Sequence, residues 1–196
     1  MIPTARANAM LDTEFVDGDK MSLHSAYSTS GANELTGGSY ARQTLDFNAA
    51  SNRSKASNGA VPDFPVPAGA TVAFVGVWDT GGSTFKGMYP NGGSEKSYQV
   101  DLTNNRIYCE GHGMVDNDRV VFMGATVPTG LTAGTIYHVV GTTAGDPDYF
   151  QVSATQGGGA IDISGQPSAD SRVSKVVVEA YAGAGTHRIT AFAINL

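Results

Sequence analysis

The side chains able to do chemistry are few and scattered. Four histidines, His24, His112, His138 and His187, stand far apart in the chain, and neither an H-E-x-x-H pair nor paired cysteines exist to preorganise zinc. His112, between Gly111 and Gly113, reads as a turn residue making local hydrogen bonds. Carboxylates two positions apart occur at Asp116-Asn117-Asp118 and Asp146-Pro147-Asp148. Calcium loops use that spacing, but both runs lack a third acidic ligand and a distal glutamate, so turn chemistry accounts for them; Asp17-Gly18-Asp19 reads as a helix exit. No Gly-x-Ser-x-Gly elbow or P-loop is present, and Gly183-Ala184-Gly185 lacks the third glycine and following helix of a dinucleotide site. The single cysteine, Cys109, excludes an intramolecular disulfide and any multi-thiolate metal site, and reads as a small buried hydrophobe. The expectation is therefore a non-enzyme with no catalytic residue, no cofactor and no metal.

The elements that would position these groups are short strands. Of 196 residues 41% are apolar, enough for a core, while only 15% are charged and 25 are glycine. That mixture favours turns and strands over long helices. A formal charge of −6 argues against a sequence-independent nucleic-acid binder, which needs surplus Lys and Arg to displace phosphate counterions. The longest near-apolar run, Thr71–Trp78, is far short of the roughly 20 residues a membrane helix needs. Residues Met1 to Arg6 contain no apolar signal core, so the expectation is synthesis in the cytoplasm with no membrane association.

One short helix is predicted from Thr4 to Phe15, started by Pro3-Thr4 and stopped by Gly18. Strands are predicted at Met21–Tyr27, Tyr40–Asn48, Ala60–Val66, Thr71–Asp79 and Thr84–Tyr89. In Tyr40–Asn48, Ala41, Gln43, Leu45 and Phe47 share one face, which makes that face dry. Thr71–Trp78 is apolar on both faces and so belongs in a sandwich centre or at a subunit contact. Beyond Tyr98 the rhythm tightens: Gln99–Thr103, a two-residue turn at Asn104-Asn105, Arg106–Cys109, then Arg119–Met123, Thr135–Val140, Tyr149–Ala154 and Ala160–Ile163. Lys175–Tyr181 and His187–Asn195 close the chain.

Two stretches carry a resemblance. Leu23-His24-Ser25-Ala26-Tyr27, followed by Thr29-Ser30-Gly31-Ala32-Asn33-Glu34-Leu35-Thr36-Gly37-Gly38-Ser39-Tyr40-Ala41-Arg42-Gln43, resembles the signature of small structural proteins of tailed phages, of the tail-fibre-like or decoration kind. Phe64-Pro65-Val66-Pro67-Ala68-Gly69 and Val75-Gly76-Val77-Trp78-Asp79 continue it. Gly111-His112-Gly113-Met114-Val115-Asp116-Asn117-Asp118-Arg119-Val120 resembles the opening of a small β module of phage fibres and baseplates, with Asn117 where that module often has glycine. Pro128–Tyr137 and Phe150–Ala154 look like the middle and end of that module, and with them the two resemblances cover most of residues 20–176.

The resemblance implies an all-β chain: an N-terminal arm or helix (1–20), a β-sandwich module (21–97 plus 177–196) and a second small β module inserted at 98–176. It implies a virion structural protein, a capsid decoration or cement protein or a neck component, that stabilises the particle by oligomeric packing. The expected partners are further copies of itself, as a trimer or higher, and virion proteins such as the major capsid protein. Ile2, Met10, Leu11, Phe15, Phe74 and Trp78 are the expected partner-binding anchors. The alternative is a tail-fibre adhesin whose inserted module, with Tyr98, Tyr108, Tyr137 and Tyr149, binds a host-surface glycan or receptor.

Overall fold

The computed structural model describes every residue except Met1, Ala60, Pro62 and Ala144. Helix α1 (Thr4–Glu14) precedes β1 (Asp19–His24), β2 (Gln43–Leu45), β3 (Ser54–Ala56), β4 (Phe64–Val66), β5 (Thr71–Val72), β6 (Phe74–Trp78) and β7 (Phe85–Pro90). Next come β8 (Gln99–Asp101), β9 (Arg106–Tyr108), β10 (Arg119–Met123), β11 (Ile136–Val140), β12 (Tyr149–Ser153) and β13 (Arg172–Lys175). The chain closes with β14 (Glu179–Ala180), β15 (Gly185–His187) and β16 (Ala193–Asn195). The fold is all-β with one short helix, as the composition predicts. The expected strand at Ala60–Val66 is present from Phe64; Ala60 and Pro62 lie outside the described residues.

The chain forms two units, residues 1–89 with 178–196 and residues 90–177. In the first, β2-β1-β6-β7 make a four-stranded sheet, and three ladders pair a late strand with an early one: β14 with β5, β15 with β4 and β16 with β3. Because the side-chain period of a strand is two, β1 sends Met21 and Leu23 to one face and Ser22 and His24 to the other. Met21, Leu23, Val75 and Val77 pack with Phe64, Val66, Val72, Ile189 and Ile194 of the ladders and returning segment in one core, which makes the arrangement sandwich-like. Phe74–Trp78 is buried along its whole length, so the two-faced apolar strand is a sandwich centre.

α1 belongs to this unit. Pro3 precedes it, as predicted, and the helix buries Ala7 and Leu11, with Phe15 just beyond its end, against the sheet core. Asn8 accepts the Arg53 N–H at 2.9 Å, and Asp12 accepts both the Ala50 N–H at 2.8 Å and the nearly buried Lys55 ammonium at 2.6 Å. Of the expected arm or helix the helix is present, docked on its own β body, and after it Asp17 and Asp19 turn inward to accept the Phe47 and Val16 N–H groups.

The second unit is a six-stranded antiparallel sheet, β13-β10-β11-β12-β9-β8, over a core of Phe122, Phe150, Ile107, Val139 and Val152. Its boundary differs from the expected 98–176. Asn91 donates its amide to the Val177 carbonyl at 3.0 Å, and Lys96 exchanges backbone hydrogen bonds with Val173, so residues 90–97 belong here. The expected strand at Ala160–Ile163 is irregular, because Asn105 takes a strand's role: its side chain donates to the Ile161 carbonyl and accepts the Ile163 N–H. The β8–β9 turn has four residues, not two, since Asp101 pairs with Arg106 and its carboxylate accepts the Thr103 and Asn104 N–H groups.

Each unit has its own core and its own ladders, so excising residues 90–177 and linking Tyr89 to Val178 with a short Gly/Ser segment should leave a folded first unit. Cooperative urea unfolding followed by the fluorescence of Trp78, the chain's sole tryptophan, is the readout. A non-cooperative profile would mean that the first unit depends on the second.

Candidate functional site

The signature residues converge on Trp78. The Leu23 N–H donates to the Tyr40 hydroxyl at 2.8 Å, and that hydroxyl donates to Glu34 Oε1 at 3.2 Å. Arg42 grips the same carboxylate through Nε and Nη2 at 2.9 and 2.7 Å, donates from Nη1 to the Gly82 carbonyl at 2.6 Å, and lies 3.6 Å from the Trp78 ring centroid. A planar guanidinium suits this task because its fork matches a carboxylate while its face stacks on an aromatic ring. Beneath it, Trp78 Nε1 donates to Ser22 Oγ at 2.7 Å and Ser22 meets His24 Nε2 at 2.7 Å. His24 Nδ1 sits 2.9 Å from the Ala32 carbonyl; a carbonyl only accepts, so Nδ1 carries the proton and Nε2 accepts from Ser22.

This is the geometry of a nucleophile and its base, which sequence spacing did not single out. Its surroundings decide against catalysis. Ser22 and His24 are fully buried, Gly76 packs against both, and Phe85 packs against Gly76 and edge-on to Trp78. No substrate atom can approach the hydroxyl, so the pair works as a buried clamp between β1, β6 and the 25–42 loop. Burial also pushes the Tyr40 phenol far above its ordinary range.

His24 gives this cluster a pH signature. Burial holds its imidazole below the ordinary value, so between the folded and unfolded values the unfolded chain binds more protons. Glu34, Arg42, Ser22, Trp78 and the Ala32 carbonyl are the charged and polar groups around it. The contribution is complete above about pH 6.5 and is lost as pH falls from there toward the lower folded value. The urea midpoint read by Trp78 should drop between about pH 7 and pH 5, and His24→Gln should flatten that slope. An unchanged slope in His24→Gln would assign the titration elsewhere.

The carboxylates in the turns are each engaged separately. Asp116 accepts from the Thr142 N–H and hydroxyl at 2.9 and 2.7 Å, which lowers its pKa. Asp118 accepts from the Val115 N–H and Lys175, Asp146 pairs with Arg106, and Asp148 accepts from the Gly111 N–H. Among the described residues no cluster of His, Cys, Asp or Glu is arranged to hold a metal ion. His112 Nδ1 accepts from the Met114 N–H inside its own turn, and Cys109 is buried with its thiol pKa raised by burial. An S-x-x-K pattern, expected to be absent, is present at Ser83-Thr84-Phe85-Lys86; Ser83 turns to Asp79 while Lys86 turns to Asp19, so the two do not meet.

A second polar cluster joins Glu179, Tyr181 and His187. The Tyr181 hydroxyl donates to Glu179 at 2.9 Å and lies 3.0 Å from His187 Nδ1. Burial and the carboxylate push the phenol up to about 12, which leaves it a donor at neutral pH.

Of the six expected anchors, Leu11, Phe15, Phe74 and Trp78 are buried inside the first unit, and their side chains are already covered by the chain itself. Ile2 and Met10 remain open, at 41% and 46% exposure. Met10 and Leu196 line a groove of about 500 Å³ along α1 with Arg6, Ala9, Thr13 and Glu14. Of the four tyrosines expected to meet a glycan, Tyr98 and Tyr137 are core residues of the second unit. Tyr108 and Tyr149 are neighbours on β9 and β12, half-exposed, with ring centroids 5.1 Å apart, and the Arg106 guanidinium covers the Tyr149 ring at 4.2 Å. No helix among the described residues is long and apolar enough to cross a membrane. Comparison with known proteins returned nothing: no family model matches the chain, and neither a curated protein nor a solved structure matches it.

Proposed function

We propose that this chain is a structural component of a tailed-phage particle, a capsid decoration or cement protein or a neck component, that works by packing against copies of itself and neighbouring virion proteins. The observation that carries this reading is where apolar surface stays open. The first unit closes its core completely, yet the chain leaves Met10 and Leu196 on one groove along α1, with Ile2 and Val16 exposed at either end of the helix. Exposed apolar clusters of this kind serve contacts between proteins.

The phage assignment itself rests on the resemblance, whose residues form the cluster at Trp78 in this chain. Gly31, Glu34, Tyr40 and Arg42 of the signature meet in one interlocked arrangement in this chain. An assembly role needs strands and shape, without turnover.

The half-exposed Tyr108–Tyr149 pair favours a second reading, a tail-fibre adhesin that presents the second unit to a host-surface glycan. Quantifying the protein in purified virions and imaging labelled particles separates the readings. Copies in the hundreds on the head support decoration, and a ring-sized number at the neck supports the neck role. Density at the tail tip, with glycan binding by the full chain, supports the adhesin. Absence from purified virions overturns all three.

A further inference from the structure

α1 carries opposite charges at equal distances on either side of its middle. Arg6, Met10 and Glu14 follow one another at four-residue steps, which sets them on one ridge of the helix. All three are exposed, while Ala7 and Leu11 face the core. Neither the Arg6 guanidinium nor the Glu14 carboxylate has an ion pair or hydrogen bond among the described residues. Both line the same groove as Met10, and the small residues Ala9 and Thr13 lie alongside.

We propose that α1 is the contact of a two-fold homodimer, in which two copies of the helix pack antiparallel with the dyad at Met10. This rests on the assembly reading above and names its partner: a second copy of this chain. In an isologous contact, residue i meets j and j meets i. With the dyad at Met10, the residue four before it meets the residue four after, so Arg6 faces the partner's Glu14 and Glu14 faces the partner's Arg6. A parallel pair would set Arg6 on the partner's Arg6 and Glu14 on the partner's Glu14, so charge selects the antiparallel arrangement. Ala9 and Thr13 let the axes approach to the roughly 8–10 Å of packed helices. A membrane surface fits the face less well, since such helices are rich in Lys and Arg on their polar side, whereas α1 has one arginine beside Asp12 and Glu14.

Eleven residues make a helix of about 16 Å. The contact therefore falls below the roughly 1,000 Å² of a freestanding interface, and the dimer is weak in isolation. Repetition around a particle multiplies such contacts through effective concentration.

Sedimentation equilibrium of the full chain, from about 10 μM to about 1 mM, tests the proposal. The protein should self-associate, and Met10→Asp should weaken association by roughly tenfold or more. Arg6→Glu and Glu14→Arg should each weaken self-association similarly, because each sets like charges face to face. An equimolar mixture of those two variants should associate at least as tightly as the wild-type chain, since one then offers two acidic groups and the other two basic ones. Circular dichroism of each variant confirms that it is folded. A wild-type chain that stays monomeric at the top concentration overturns the proposal, as does association that survives Met10→Asp or a mixture that stays dissociated. A monomer found in purified virions sinks the dimer and spares the assembly reading; a dimer absent from virions does the reverse.

Discussion

Gly31→Ala should lower the stability of the first unit by about 3 kcal/mol or more, read as a fall in the urea midpoint reported by Trp78. Two separate costs add at this position. The backbone has φ of +77°, in the left-handed region that alanine adopts reluctantly. A methyl group there would stand 2.4 Å from two carbons of the Trp78 ring and 2.9 Å from Phe85, so a packed aromatic pair would have to move. Overpacking of that kind costs about 1–3 kcal/mol beyond the backbone strain. Gly37 supplies the control: its φ is +96°, yet nothing lies within 4 Å of a Cβ built there. Gly37→Ala should therefore show the backbone cost alone, about 1 kcal/mol. Equal losses in the two variants would refute the claim that Gly31 is fixed by the tryptophan packed over it.

That pair of glycines also shows what a sequence can and cannot convey. The signature could be quoted residue by residue, but its reason lies in contacts across 40 residues or more, such as Arg42 with Gly82 and Ser22 with Trp78. Elements with an intrinsic pattern were legible. Arg119–Met123 is a strand with the predicted ends because Val120, Val121, Phe122 and Met123 form an apolar run, and the alternation of Leu45 and Phe47 with Thr44 and Asp46 appears as buried against exposed. Elements defined by their partner were not. Ser54–Ala56 has no apolar signal and becomes a strand only by pairing with β16, with Lys55 buried where Asp12 can reach it. Ala160–Ile163 looks like a strand, yet Asn105 supplies two of its hydrogen bonds from a side chain. The anchors were half legible for the same reason. Residue type marks Leu11, Phe15 and Met10 alike as apolar, and only the rotation of α1 against the sheet separates the two that are covered from the one left open.

The C-terminal end of α1 is also fixed by the Lys86 ammonium group, and its removal should have the second large effect. Lys86 on β7 reaches Asp19 Oδ1 and Oδ2 at 2.9 and 2.8 Å and also donates to the Glu14 carbonyl at the end of α1. It lies 5.8 Å from the Phe15 ring centroid, within range of a cation–π contact. Asp19 is fully buried, and its carboxylate has one other partner among the described residues, the Val16 N–H at 3.1 Å. An exposed ion pair would be worth less than about 1 kcal/mol, because water screens it and both side chains lose freedom. Here the carboxylate has no water to return to, so taking away the lysine strands a buried charge at a cost of about 3–5 kcal/mol. Lys86→Met should therefore lower the stability of the first unit by that amount at neutral pH. It also removes the cation that complements the C-terminal end of the helix dipole. Adding Asp19→Asn to Lys86→Met should recover part of the loss, since a neutral amide can still accept from Val16 without a charge to solvate. A double variant less stable than Lys86→Met alone, or a single variant that loses under about 1 kcal/mol, would mean that the pair behaves as a surface contact. The outcome bears on assembly directly. α1 offers Arg6, Met10 and Glu14 on one ridge only while its other side stays on the sheet, so a chain that lets the helix swing free should lose self-association in step with its lost stability.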